Sequence, residues 1–61
     1  MDSLKFKAWM AAHKVSQKEL CDLLDLSNTS INKKVNGKED FTLLQIRKIC
    51  EKYEVSADIF L

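Results

Sequence analysis

The chain of 61 residues contains no proline, one glycine, two cysteines and one histidine. Each shortage removes a class of protein. With no proline, a single glycine and no alternating β-branched run, the composition favours helices over turn-rich sheet. Cys21 and Cys50 form no CxxC pair and lie far from the lone His13. Neither a disulfide scaffold nor a metal site is expected, and the two thiols read as small apolar residues in a reducing compartment. No apolar run nears the ~20 residues needed to span a membrane. No nucleophile–base pair, phosphate-cradling glycine loop or metal-ligand spacing is present, which argues against an enzyme, a cofactor or a small-molecule substrate. A chain this short buries only about 60% of its unfolded surface, too little to wall in a substrate pocket. A single domain, residues 1–61, is expected, without a signal peptide, acting in the bacterial cytoplasm or nucleoid.

Charge is what the chain has, unevenly placed. The net charge is +1, but the stretch SNTSINKKVNGK, residues 27–38, carries Lys33, Lys34 and Lys38 and no acid. Residues 14–26 and 39–61 are net acidic. A general polyanion binder would be basic throughout, so this pattern points to one basic face.

Helix starts are well marked. Ser16-Gln-Lys-Glu19 and Thr42-Leu-Leu-Gln45 are capping boxes, in which the cap hydroxyl accepts from the third amide and the third side chain reaches back. Val15 with Leu20, and Phe41 with Ile46, add hydrophobic staples; Val55 with Phe60 repeats the staple without the box. Gly37 suits a left-handed stop for the helix that Ser27 opens. These signals predict five helices, at about 3–13, 16–24, 27–36, 42–53 and 56–60. Apolar residues follow the helical period: Phe6 with Met10, Leu20 with Leu23 and Leu24, Ile31 with Val35, and Ile46 with Ile49, Cys50 and Tyr53. Trp9 is expected to pack beside the first stripe, and His13 to lie at the surface.

The second and third helices, separated by Asp25-Leu26-Ser27, make a helix-turn-helix of about 16–37. With VSQKELCDLLDLS, SINKKVNGK and FTLLQIRKICEKYEVSADIF in this order, the chain from Phe6 to Leu61 resembles the Cro/phage-repressor-like helix-turn-helix proteins, the XRE family. Gln17 matches the family's opening Gln of the second helix, Cys21 its small middle residue, Ile31 the aliphatic anchor of the recognition helix, and Asn36-Gly37 its end. The resemblance implies an all-α, five-helix lambda-repressor-like domain and sequence-specific DNA binding. Three positions depart from the family pattern. Asp25 replaces a common Gly, and can still take a left-handed conformation through its short polar side chain. Lys34 replaces a common apolar residue, with Val35 expected to take the core role. Met10 and Val35 stand where many relatives pair Arg with Glu, consistent with packing in place of a buried ion pair.

At about 100° per residue, Ile31 and Val35 set the buried side of the third helix. Thr29 and Lys33 point away from it, flanked by Ser30, Asn32 and Asn36. Asn28 lies off that line but in the first turn, and recognition helices dock N-terminus first. The resemblance assigns base contacts to Asn28, Thr29 and Lys33, with Asn32 beside them. Asn pairs with adenine, Lys with guanine acceptors, and the Thr methyl with thymine. Phosphate contacts are expected from Gln17 and Ser27 at helix N-termini and from Lys34, Asn36 and Lys38 at the far end.

The function expected is a transcriptional regulator of the repressor or Cro type, of phage or prophage kind. It would read a palindromic operator in double-stranded DNA through the major groove. One reading helix per chain calls for two copies on the operator; Ile59, Phe60 and Leu61 either form the edge of a weak homodimer, with Phe60 folded back as a staple, or complete the core of the monomer. The competing expectation is a protein-interaction module of the same fold, of antitoxin or antirepressor-partner type. It would bind independently of Lys33 and Thr29, through acidic or apolar surface such as Glu51, Glu54 and the C-terminus.

Overall fold

Every helix begins where a short polar side chain can replace a missing backbone acceptor. The computed structural model describes residues 1–61. It contains α1 (Ser3–His13), α2 (Gln17–Leu24), α3 (Asn28–Val35) and α4 (Leu43–Tyr53), followed by a 3-10 turn, Ala57–Phe60. Both expected capping boxes form. Glu19 N donates to Ser16 Oγ at 3.1 Å and Gln45 N to Thr42 Oγ1 at 3.1 Å, and the return bonds from Ser16 N and Thr42 N measure 3.5 and 2.9 Å. Ser27 caps α3 and Ser56 the 3-10 turn. Asp2, which lacks a partnering acid three residues on, caps α1 by accepting from Leu4 N and Lys5 N. Such a cap is worth about 1 kcal/mol.

The helix ends follow a rule that the residue types conceal. Lys14, Asp25 and Glu54 all adopt φ of 55°, each as a left-handed cap. A left-handed conformation costs a residue with a side chain roughly 1–2 kcal/mol, and Lys and Glu lack even the compensation available to Asp. Gly37 has φ of 79°, so it provides the reversal after α3, one residue beyond the Asn36 cap. Its lack of a side chain serves a second purpose: a Cβ there would meet Ser3 Oγ at 3.0 Å and Ser3 Cβ at 3.2 Å.

The expected fifth helix is one 3-10 turn rather than an α-helix. Four residues cannot complete the α-helical bonding pattern beyond a single turn, and the staple of Val55 and Phe60 holds the segment instead. Phe60 is fully buried and its carbonyl accepts from Asp2 N at 2.7 Å, tying the two ends of the chain together.

The core is one cluster to which every element contributes: Phe6, Trp9 and Met10 of α1, Val15, Leu20 and Leu24, Ile31 and Val35 of α3, Phe41, Ile49 and Phe60. Phe6 is its hub, with ring centroids 5.6 Å from Trp9, 5.1 Å from Phe41 and 4.9 Å from Phe60. Trp9 stands nearly perpendicular to Phe60 and Tyr53, and its indole N–H is buried without an acceptor. His13 is exposed, its ring 5.7 Å from that of Trp9. Met10 and Val35 are both core residues, packed as apolar side chains. Of the 12 buried residues 11 are apolar; the exception is Lys34.

Candidate nucleic-acid interface

The packing of α2 against α3 determines which side of α3 is free. Asp25, in its left-handed conformation, and Leu26, whose amide donates to Cys21 O at 3.1 Å, turn the chain sharply between the two helices. Leu20, Leu24 and Ile31 then meet in the core. Ile31, Lys34 and Val35 form the inward side of α3, leaving Asn28, Thr29, Asn32, Lys33 and Asn36 exposed. The wheel expectation for Thr29, Asn32, Lys33 and Asn36 matches this geometry, Ser30 is half-buried instead, and Asn28 joins the exposed side at the first turn.

Individual side chains are already engaged to different degrees. Asn28 Oδ1 receives a long contact of 4.0 Å from Cys21 Sγ, so the middle of α2 touches the start of α3. Asn36 donates its amide to Asn32 O at 2.8 Å, spending one donor on its own helix. Lys33 Nζ lies 3.9 Å from Glu39 Oε1. Thr29 makes no side-chain hydrogen bond. Gln17 is half-buried in the first turn of α2, next to the Ser16 cap, and Lys38 is exposed in the loop after α3. The amides of Asn28 and Thr29 have no partner within the chain. They are free donors at the positive end of the helix dipole.

One expected phosphate contact is corrected. Lys34 is only 9% exposed. Its Nζ donates to Asp40 O at 2.8 Å and lies 5.8 Å from the centroid of the Phe41 ring. The stem fills an apolar position on the inward side of α3, while the ammonium reaches the loop carbonyl. Lys34 therefore fastens α3 to the 36–42 loop and presents no charge to an outside ligand. Ser27 is exposed, but its hydroxyl donates to Ser30 Oγ at 3.1 Å while accepting from Ser30 N at 3.1 Å. Its backbone amide has no partner within the chain and stays free beside those of Asn28 and Thr29. The expected apolar edge also changes: Phe60 is in the core, leaving Ile59 and Leu61 exposed.

Sequence reasoning missed three features around this face. The first is the Lys34 clamp, signalled only by a basic residue at a customarily apolar position. The second is Glu39, the first acid after the basic stretch. The third is the hydrogen bond from Tyr53 OH to Glu19 Oε2, 3.0 Å, which joins α4 to α2. Burial raises the pKa of the Tyr53 phenol, and the bond to Glu19 and its charge raise it further. Behind this bond, Glu19, Asp22, Leu23, Lys52 and Tyr53 line an open groove of about 360 Å³. The Cys50 thiol is also raised, by burial first and then by Glu51. Both cysteines are free and half-buried.

With that geometry in place, the comparison with known families is decisive on one point. The BetR domain matches residues 3–61. The chain belongs to the BetR domain family. That is a helix-turn-helix-like family, in agreement with the paired α2 and α3. The match runs from the first residue of α1 to the end of the chain, so the BetR domain here includes the 3-10 turn as well as the helix-turn-helix. No curated protein and no solved structure matches the chain. No helix of this BetR domain is long and apolar enough to cross a membrane.

Proposed function

We propose that this BetR domain is a sequence-specific double-stranded DNA-binding regulator of the repressor or Cro type, acting in the cytoplasm. On this reading it shares the lambda-repressor-like plan of the XRE proteins, with the 3-10 turn in the place of their fifth helix. α3 enters the major groove, where Asn28, Thr29, Asn32 and Lys33 read base edges. Gln17, Asn36 and Lys38 contact phosphates on either side, joined by the free amides that open α3. Lys34 braces that surface from behind, and Ser27, exposed at the start of α3, is a further phosphate contact. The observation that carries the reading is the outward side of α3: it is exposed, free of acid, rich in amide, hydroxyl and ammonium groups, and rigidly backed by Ile31, Lys34 and Val35.

An α3 of 8 residues reads only a few base pairs, so useful affinity calls for a second copy on a palindromic operator, one DNA turn away. Ile59 and Leu61 are joined at one pole by Leu4. Asp2 N bonds to Phe60 O and Lys5 Nζ to Leu61 O, bringing the start of α1 to the chain's end. These three exposed apolar residues are the proposed contact of a weak dimer that tightens on DNA.

A second reading, a protein-docking module, draws on Leu43 and Leu44, 87% and 68% exposed at the start of α4. Selection from random duplexes separates the two. An enriched palindrome whose preference changes with Lys33→Ala and Thr29→Ala supports DNA reading. No enrichment, or an enriched site indifferent to both substitutions, contradicts it.

A further inference from the structure

Glu39 places a carboxylate where a surface meant for DNA gains nothing from one. The chain has 10 basic and 9 acidic side chains, and Lys33–Glu39 is the one pair within 4.0 Å. The two side chains are about half exposed, 51% and 48%. The acid is held in place by the backbone around it. Glu39 N donates to Lys33 O at 3.3 Å and Lys38 N to the same carbonyl at 2.9 Å. The carbonyl of the next residue, Asp40, accepts from the buried Lys34 ammonium. The negative end of the α3 dipole does nothing to favour an acid there. Lys33 is what Glu39 faces.

Resting on the DNA-binding reading above, we infer that Glu39 is an internal counter-ion for Lys33 and thereby a specificity-determining residue. An exposed carboxylate holds an ammonium weakly, about as well as a lone phosphate would. On DNA of arbitrary sequence nothing rewards Lys33 for leaving, so it stays with Glu39 and adds little to binding. On a matching site, base-edge acceptors such as guanine O6 and N7 offer better geometry, and Lys33 moves across. Specificity is a difference of affinities, and lowering the non-specific one widens it as effectively as raising the specific one.

The test is a cycle of four chains: parent, Glu39→Gln, Lys33→Met and the double variant. Each is titrated by fluorescence anisotropy against a duplex selected from a random pool and against its scrambled counterpart, at several salt concentrations. Both side chains are exposed, so the four chains should melt alike. On the scrambled duplex Glu39→Gln should bind about three- to tenfold tighter, with a salt slope steeper by about 1. The gain should vanish in the double variant. Lys33→Met alone should weaken the selected duplex by about tenfold or more. A gain of equal size with and without Lys33 would show Glu39 acting as plain charge and overturn the inference, as would no gain at all. Failure of the parent to bind either duplex would instead remove the DNA-binding reading, and the inference with it.

Discussion

Lys33 and Lys34 are sequence neighbours about 100° apart on the same helix, and they enter different worlds. Lys33 is half exposed beside a single loose carboxylate; Lys34 is buried, its ammonium on the Asp40 carbonyl and its stem against the Phe41 ring. The same contrast holds for the two sides of α3 as a whole. Inward, Ile31, Lys34 and Val35 are held by the core and the following loop. Outward, Asn28, Thr29, Asn32 and Lys33 are held by little. A positive residue in a basic stretch thus has no role until its direction is known, and a rigid back is what allows a front to stay unpaired.

The contrast can be broken from its stronger side. Ile31 is fully buried at the junction of α2 and α3. Ile31→Ala should cost about 3–4 kcal/mol, enough to unfold much of a chain this small, whereas Thr29→Ala should stay within about 0.5 kcal/mol. Urea melts of the pair measure the difference directly. Next comes Lys34→Ala. It removes a charged hydrogen bond, a cation–π contact and a packed stem, and should cost about 2 kcal/mol. The thermal midpoint should fall by about 10 °C for a domain of this length, while Lys33→Ala should leave it within a few degrees. Equal effects at the two lysines would dissolve the distinction between the inward and the outward side of α3.

How far this contrast could be read from sequence depends on what each feature rests on. The helix-turn-helix was legible because its signals are local: Ser16 with Glu19, Ser27 ahead of the apolar spacing of Ile31 and Val35, and Gly37 after it. The outward positions Thr29, Asn32 and Lys33 followed from the helical period. Lys34 was misassigned because charge is local, while the partner that consumed it, Asp40 O, depends on the path of the following loop. The left-handed ends at Lys14 and Glu54 were hidden because neither residue type announces them. The fifth helix shrank to a 3-10 turn because a staple reports where a segment docks, and says nothing of its bonding pattern.

Smaller effects sharpen the account of the brace. Glu54→Gly should stabilise the chain by about 1 kcal/mol, since glycine accepts φ of 55° without the side-chain penalty. Gly37→Ala should do the reverse, because it adds a left-handed side chain facing Ser3. The Tyr53–Glu19 bond between α4 and α2 is testable by pH. The Tyr53 phenol is raised above its ordinary value, by burial first and then by Glu19, so folding favours its protonated form. That contribution is fully present below the ordinary phenol pKa of about 10. It is lost as pH rises from there through the raised folded value. Parent and Tyr53→Phe should therefore converge in urea stability as pH climbs above 10, with the parent losing more. An unchanged gap between them would remove Tyr53 from the pH-dependent brace.

Amide chemical-shift mapping of the labelled chain against its selected duplex reaches the central proposition most directly. The largest shifts should fall on Asn28, Thr29, Asn32 and Lys33, with lesser ones at Gln17, Asn36 and Lys38, while Leu43, Leu44 and the groove around Tyr53 stay quiet. Shifts centred on Leu43 and Leu44 or on that groove, with the outward side of α3 unmoved, would contradict it.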